Sequence, residues 1–229
     1  MIADADIAAV GAALADPSRS AMLLALVGGD DISAGELARI AGRSPSGASA
    51  HLRTLCDTGL VVAEESGRNR FFRLAGPDVA EALEVLARVA PARKPTSLRQ
   101  SEAARALKRA RTCYDHLAGE LGVAVTEALV ANELLRGGDD CFHVTDTGRT
   151  WLGELGIAID QLERRRRSFA RACLDWTERR PHLAGALGAA VADVFFARGW
   201  VRRLPGGRAV ALSPAGRAWL LRELGLCTV

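Results

Sequence analysis

The fold is decided by residues 32–74, which read ISAGELARIAGRSPSGASAHLRTLCDTGLVVAEESGRNRFFRL. The pattern predicts a short helix capped by Ser33, a tight turn, and a second helix opened by Ser44-Pro45. Two short apolar stretches then flank the polar turn Ser66-Gly67-Arg68, as the strands of a hairpin do. This order predicts a winged helix-turn-helix, in which the second helix enters the DNA major groove and the hairpin contacts the adjoining groove or phosphates.

The candidate DNA contacts are the outward positions of the second helix and of the hairpin. Small and hydroxyl side chains let a helix lie deep in the groove, and arginines reach base edges or phosphates. Taken singly, these serines are equally consistent with helix caps and the arginines with a solvated face; taken together they favour DNA binding. The predicted DNA-binding residues are Ser44, Ser46, Gly47, Ser49, Ala50, His51 and Arg53 in the helix, and Arg68, Asn69 and Arg70 in the hairpin.

Charge is distributed unevenly along the chain. Residues 1–92 hold 8 Lys and Arg against 12 Asp and Glu, whereas residues 93–229 hold 22 against 15. A DNA-binding half that is acidic overall must concentrate its positive charge locally. It does so in residues 32–74, which contain Arg39, Arg43, Arg53, Arg68, Arg70 and Arg73.

Composition points to a globular intracellular chain. No run of eighteen or more uncharged apolar residues is present, and the first twenty residues carry Asp4, Asp6 and Asp16 where a secretion signal carries Lys or Arg. We therefore expect no membrane partner and a cytoplasmic location. The five cysteines are odd in number and scattered, which favours reduced thiols, ligands or sensors over a disulfide framework.

The second half of the chain contains an internal repeat. Residues 116–122, HLAGELG, match residues 182–188, HLAGALG, and the later matches follow at a spacing of 66 to 68 residues. Each copy is predicted to continue with a helix, a polar turn, a short strand and a second helix. We expect repeats over about 105–160 and 165–229 to form one pseudo-symmetric domain, with any ligand site near the join.

The predicted architecture is mainly α with small β-hairpins. A linker over Pro91–Pro95 divides an N-terminal winged helix-turn-helix, residues 1–92, from a duplicated C-terminal domain, residues 93–229. Because the order helix, turn, strand, helix is half a winged helix, the second domain is interpreted as a degenerate, winged-helix-like duplication.

The segment from Ser44 to Leu74 resembles the ArsR/SmtB family of winged-helix repressors, and the resemblance covers roughly the first ninety residues. It implies a homodimer on an inverted-repeat DNA operator, with the first helix and the helix from Asp78 to Val89 forming the dimer contact. The family's metal sites are missing. Ser33 to Glu36 stand where metal-sensing members have a cysteine pair, and the helix from Asp78 contains no His or Cys.

A metal site is predicted instead in the C-terminal domain, where each repeat begins with a cysteine and a later histidine. Cys113 and His116 are three residues apart, which predicts one face of a helix. Pro181 is expected to break the corresponding helix, so that His182 need not lie near Cys173 along the helix axis. If the pseudo-symmetry holds, the two thiolates and two imidazoles converge on zinc or another thiophilic ion. The alternative is that the cysteines are small core residues or redox sensors.

These observations favour a dimeric transcriptional repressor that leaves its operator when the C-terminal domain senses a metal or small-molecule effector. One alternative is a thiol-based enzyme with Cys113 or Cys173 as the nucleophile. The chain lacks a glycine-rich phosphate loop and a nucleophile elbow, which argues against an enzyme. The other alternative is an interaction protein that needs no ligand.

Overall fold

A computed structural model describes residues 4–67, 69–91 and 95–227, and the chain divides into two compact units, Met1–Leu86 and Ala87–Val229. The division falls inside a helix, a few residues before the predicted boundary at 92/93, which itself lies outside the described residues. Within the described ranges, no helix is both long and apolar enough to cross a bilayer.

The first unit is built from helices and one three-stranded antiparallel sheet. Its elements are α1 Ile7–Ala15, α2 Pro17–Leu26, β1 Ile32–Ser33, α3 Ala34–Ile40, α4 Pro45–Asp57, β2 Val61–Ser66, β3 Asn69–Leu74 and α5 Pro77–Val89. β2 and β3 pair in register from Val61 opposite Leu74 to Ser66 opposite Asn69, and β1 adds to the outer edge of β3. The predicted winged helix-turn-helix is confirmed, with β1 as a strand that the sequence did not reveal.

The helix boundaries in this unit follow from local capping. Asp16 accepts hydrogen bonds from the backbone at the start of α2, where Pro17 occupies the first turn. Ser33 caps α3 by accepting from Glu36 N, and Ser44 caps α4 by accepting from Gly47 N. Leu37 of α3 and Leu52 and Leu55 of α4 are buried where these two helices pack together.

The second unit is a helix followed by two related halves. α6 is Leu98–Arg109. The first half contains β4 Arg111–Cys113, β5 His116–Ala118, α7 Gly119–Ala131, β6 Leu135–Gly137, β7 Phe142–Val144 and α8 Asp146–Glu154. After α9 Ile159–Glu163, the second half contains β8 Arg171–Leu174, β9 Pro181–Ala184, α10 Gly185–Ala197, β10 Val201–Arg203, β11 Val210–Leu212 and α11 Pro214–Leu224.

Each half is a hairpin, a helix, a second hairpin and a second helix, which differs from the predicted order. The hairpin before the first helix was not expected, and the single predicted strand is a pair of strands in both halves. From α7 to α8 the order helix, hairpin, helix is the same as that of α4, β2, β3 and α5.

The two halves exchange backbone hydrogen bonds reciprocally. Thr112 N donates to Arg208 O at 2.9 Å, and Ala172 N donates to Asp140 O at 3.0 Å. Val210 N donates to Ala110 O at 3.0 Å, and Phe142 N donates to Ala170 O at 2.8 Å. The first hairpin of each half therefore lies against the second hairpin of the other half, and the apolar cores of both halves merge into one.

The repeated sequence His-Leu-Ala-Gly has a structural reason. Gly119 and Gly185 begin α7 and α10 with φ of 74° and 79°, a conformation that favours glycine. A Cβ on Gly185 would lie 2.6 Å from Ser168 O, so the backbone passes too closely for a side chain. One turn later, a Cβ on Gly188 would lie 3.2 Å from the Cβ of His116 in the other half.

A buried ion pair joins the halves beneath these hairpins. Arg111, at the start of β4, and Asp175, directly after β8, are both fully buried, with Arg111 Nη2 and Asp175 Oδ2 2.8 Å apart. Arg111 also donates to Leu107 O and Thr177 Oγ1, and its guanidinium lies 4.7 Å from the centre of the Trp176 ring.

We predict that Arg111→Ala destabilises the protein by about 3–5 kcal/mol, because it leaves the Asp175 carboxylate buried without its counter-ion. The free energy of unfolding is measured by urea denaturation of the full chain. Arg149→Ala is the control, since Arg149 pairs with Asp160 and Glu163 at the surface and its loss should cost less than about 1 kcal/mol. Equal effects of the two substitutions would contradict the importance of the buried pair.

Candidate functional site

The two cysteines and two histidines of the predicted metal site lie together in the second unit. Four potential ligand atoms, one from each residue, all lie within 4.8 Å of one another. The residues are Cys113, His116, Cys173 and His182, and all four are buried. We call this group the Cys2His2 cluster. Each half of the repeat supplies one cysteine and one histidine, as the sequence predicted.

The local structure that brings the four residues together is a pair of hairpins, not the helices that were predicted. Cys113 and His116 do not share a helix face; they are directly opposite each other across the β4–β5 hairpin. Cys173 and His182 are likewise opposite across β8–β9, and Pro181 is a strand residue. The expected helix with a break at Pro181 is therefore wrong, because these residues form a hairpin. Directly opposite residues of an antiparallel pair bring their side chains to the same face, so each hairpin delivers a thiol and an imidazole together.

Electrostatics favour ligand chemistry at the cluster. The neighbouring Cys113 thiol lowers the pKa of Cys173 far below its ordinary value; burial opposes this effect, and the His116 and His182 imidazoles reinforce it. Burial alone would lower the pKa of His116, but Asp115 and Cys173 raise it overall. For His182 burial dominates and lowers the pKa. A thiolate that forms easily is the form of cysteine that binds metals.

The histidine rings leave nitrogens without hydrogen-bond partners. In the described part of the chain, His116 Nε2 and both ring nitrogens of His182 are buried and lack such a partner. The ring centres are 5.1 Å apart. Unpaired buried nitrogens cost free energy unless something coordinates them, so the donor set fits a bound cation.

The separations also fit a metal. A four-coordinate zinc ion bound by two thiolates and two imidazoles places its ligand atoms roughly 3.3–3.8 Å apart. The limit of 4.8 Å in the cluster is close enough for modest side-chain rotations to meet this requirement. A zinc ion held here would be a Lewis acid closed off by four protein ligands, which is the pattern of structural and regulatory sites, not of catalytic ones.

Cys141 and His143 form a second thiol and imidazole pair. They belong to the β6–β7 hairpin, where Cys141 Sγ lies 3.6 Å from His143 Nε2, and Cys141 is exposed. Among the described residues, no further ligand completes a metal-binding group around them.

The predicted DNA-contact residues of α4 are mostly exposed. Ser46, Gly47, Ser49, Ala50 and Arg53 face solvent, whereas Ala48 and Leu52 are buried beneath them. Ser44 is exposed but uses its hydroxyl to cap the helix, and Ser49 donates to Pro45 O. His51 is half-buried, and its Nδ1 lies 3.6 Å from Asp16 Oδ1, a contact within the unit.

The wing presents exposed polar residues at its tip. Asn69 and Arg70 are exposed, while Arg68 lies outside the described residues. Within the described ranges, no carboxylate pairs with Arg53 or Arg70. The other described arginines of residues 32–74 have partners within the first unit. Arg39 binds Glu36, Arg43 Nε donates to Ser18 Oγ, and Arg73 binds Glu64.

Residues 164–167 are four consecutive arginines that directly follow α9, which ends at Glu163. Arg167 pairs with Asp115, with 2.5 Å between Arg167 Nη1 and Asp115 Oδ2. The run therefore contributes one of its members to the surroundings of the Cys2His2 cluster.

Known proteins similar to this chain are transcriptional regulators. A family model described as a helix-turn-helix domain matches residues 14–63. The HTH-type transcriptional regulator YdfF of Bacillus subtilis (strain 168) is 43% identical over 221 residues, which cover 96% of this chain and 98% of that protein. The HTH-type transcriptional regulator CmtR of Mycobacterium tuberculosis is 42% identical over 83 residues, covering 36% and 70%.

Among solved structures, the cadmium metal-sensor CMTR from Mycobacterium tuberculosis is 40% identical, covers 39% of this chain and 93% of its own, and has a TM-score of 0.32. Because the full-length relative is named as a regulator, the thiol-based enzyme is the less favoured alternative.

We predict that the purified chain binds one zinc ion per molecule and that Cys173→Ser abolishes this binding, because it removes a thiolate ligand. Metal content is measured by mass spectrometry after dialysis against buffer with limited zinc. Cys141→Ser is the matched control, since it removes an exposed thiol outside the cluster. Zinc that stays in Cys173→Ser, or is lost from Cys141→Ser, would contradict the assignment.

Proposed function

Since the chain belongs to the HTH-type transcriptional regulators and its DNA-binding unit is of the ArsR/SmtB winged-helix type, we propose that it is a cytoplasmic homodimeric repressor. Its first unit binds a double-stranded DNA operator, and its second unit receives a metal signal that releases the DNA. The observation that carries the effector part of the proposal is the buried Cys2His2 cluster, which both halves of the second unit build together.

The DNA-binding proposal is supported by the exposed side of α4 and by the wing. Small side chains at Ser46, Gly47 and Ala50 permit close approach of the helix to the groove floor. Arg53 lies one turn beyond Ala50, where it can reach a base edge or a phosphate, and Arg70 and Asn69 stand at the tip of the wing.

The dimer proposal is supported by exposed apolar side chains on α1 and α5, the helices that the family resemblance assigns to the dimer contact. Ile7 is 72% exposed, and Val85 and Leu86 are 40% and 45% exposed. A two-fold dimer presents two copies of α4 to successive major grooves, which requires an inverted-repeat operator.

Charge balance makes a divalent thiophilic ion the proposed effector, with zinc as the first candidate. Two thiolates and two neutral imidazoles around a divalent ion give a centre with no net charge. A monovalent ion would leave a net negative charge in a buried place, which is costly. Nitrogen and sulfur donors select zinc and related ions over magnesium or calcium.

The proposed switch follows from the position of the cluster. Because each half of the second unit supplies two ligands, the bound ion joins the halves and favours one arrangement of them. Metal would release the operator if that arrangement disfavours the dimer geometry that fits the DNA.

We predict that Arg53→Ala weakens binding to the DNA upstream of the chain's own gene by about 5- to 150-fold, the equivalent of about 1–3 kcal/mol. Affinity is measured by fluorescence anisotropy at several salt concentrations, because the salt slope reports phosphate contacts. Arg149→Ala, which removes one positive charge from the second unit, should bind as the wild type does. Unchanged affinity, sequence preference and salt slope in Arg53→Ala would count against the proposed reading helix.

We also predict that Cys113→Ala binds the operator normally without zinc but is no longer released by it, since the cluster has lost a ligand. The measurement is operator affinity with and without added zinc. Cys227→Ala, at an exposed thiol near the end of the described chain, should respond like the wild type. Zinc-dependent release that survives in Cys113→Ala would remove the sensing proposal and leave DNA binding untouched.

A further inference from the structure

The two halves of the repeat each place an aspartate beside a cluster histidine, but the two aspartates differ in their surroundings. We propose that Asp115 positions His116 for metal binding, whereas Asp175 anchors the fold and contributes little to positioning His182. This inference rests on the proposed metal site and assigns unequal roles to residues that the repeat makes equivalent.

Asp115 has the contacts of a positioning residue. Its Oδ1 lies 3.3 Å from His116 Nδ1, and Arg167 binds both of its carboxylate oxygens, at 2.5 Å to Oδ2 and 3.4 Å to Oδ1. The carboxylate can therefore accept a hydrogen bond from Nδ1–H, which leaves Nε2 as the nitrogen with a free lone pair. Nε2 is the buried nitrogen of this ring that lacks a hydrogen-bond partner in the described chain.

This arrangement matches the general pattern of metal-bound histidines. The second ring nitrogen of such a histidine usually donates its N–H to a carboxylate or carbonyl oxygen, which fixes the tautomer and the ring orientation. Arg167 holds the carboxylate in turn, so that Arg167, Asp115 and His116 form a chain of contacts leading to the cluster.

Asp175 is already occupied. In the described chain, its two oxygens accept hydrogen bonds from five donors: Arg111 Nη2, Gly119 N, Thr177 N, Thr177 Oγ1 and Glu178 N. Because a carboxylate offers about four lone-pair sites, these five donors leave Asp175 no site for a further hydrogen bond from His182. Its Oδ2 lies 3.5 Å from His182 Nδ1, but that nitrogen has no hydrogen bond.

The donors to Asp175 explain what it does instead. Thr177 and Glu178 belong to the loop between β8 and β9, and Gly119 N is the first backbone N–H of α7 in the other half. Asp175 thus closes its own hairpin loop and holds the start of α7. The β4–β5 loop of the first half is only Tyr114-Asp115, whereas the β8–β9 loop spans residues 175–180. This longer loop supplies three of the five donors, so it creates the asymmetry between the two aspartates.

The test compares Asp115→Ala with the wild type in cobalt(II) binding, measured by chelator competition and by the visible absorption of tetrahedral cobalt. We expect about 10- to 100-fold weaker binding, the usual effect of losing such a partner, together with a changed absorption spectrum. Asp115→Asn should bind with intermediate affinity, because its amide oxygen still accepts from His116 Nδ1. Asp160→Ala is the matched control, since Asp160 also forms a 2.7 Å pair with an arginine, Arg149, away from the cluster.

The outcomes separate the two proposals. Wild-type protein that binds no cobalt overturns the metal site and this inference with it. Wild-type binding with unchanged affinity and spectrum in Asp115→Ala and Asp115→Asn overturns the inference alone. The thermal unfolding of each metal-free variant is measured in parallel. A loss of stability with no change in cobalt affinity or spectrum would show a merely structural role for Asp115 and would also overturn the inference.

Discussion

The second unit depends on the reciprocal backbone pairing of its two halves. Ala110 and Thr112 bond to the second hairpin of the later half, and Ala170 and Ala172 bond to the second hairpin of the earlier half. This pairing fixes the β4–β5 and β8–β9 hairpins side by side. Cys113, His116, Cys173 and His182 meet because each hairpin register sets a thiol opposite an imidazole.

The pairing also explains why the interior can hold charged groups. Bringing the hairpins together buries Arg111 and Asp175 completely, and their attraction with the surrounding hydrogen bonds opposes the cost of removing both charges from water. The Cys2His2 cluster lies in the same buried zone. An unfilled group of thiolates and imidazoles is costly there, which gives a cation of suitable charge a clear advantage.

Much of the fold could be predicted from the sequence, because capping residues and apolar spacing determine α2, α3 and α4 directly. The four cluster residues could also be named, since the repeat marks them. The local structure around these four residues could not be predicted from the sequence. Cys113 and His116 are separated by Tyr114-Asp115, a two-residue hairpin loop without glycine or asparagine, in which Tyr114 adopts a φ of 58°. The same three-residue spacing also suits a helix, and the tertiary pairing decided between them.

The central claim is that two thiolates and two imidazoles, one of each from each half, hold a single ion. X-ray absorption spectroscopy of the zinc-loaded full chain tests this most directly, because it counts sulfur and nitrogen neighbours of the metal. We expect two sulfur atoms at about 2.3 Å and two nitrogen atoms at about 2.0–2.1 Å. A bound zinc ion surrounded by oxygen and nitrogen, with no sulfur, would contradict it.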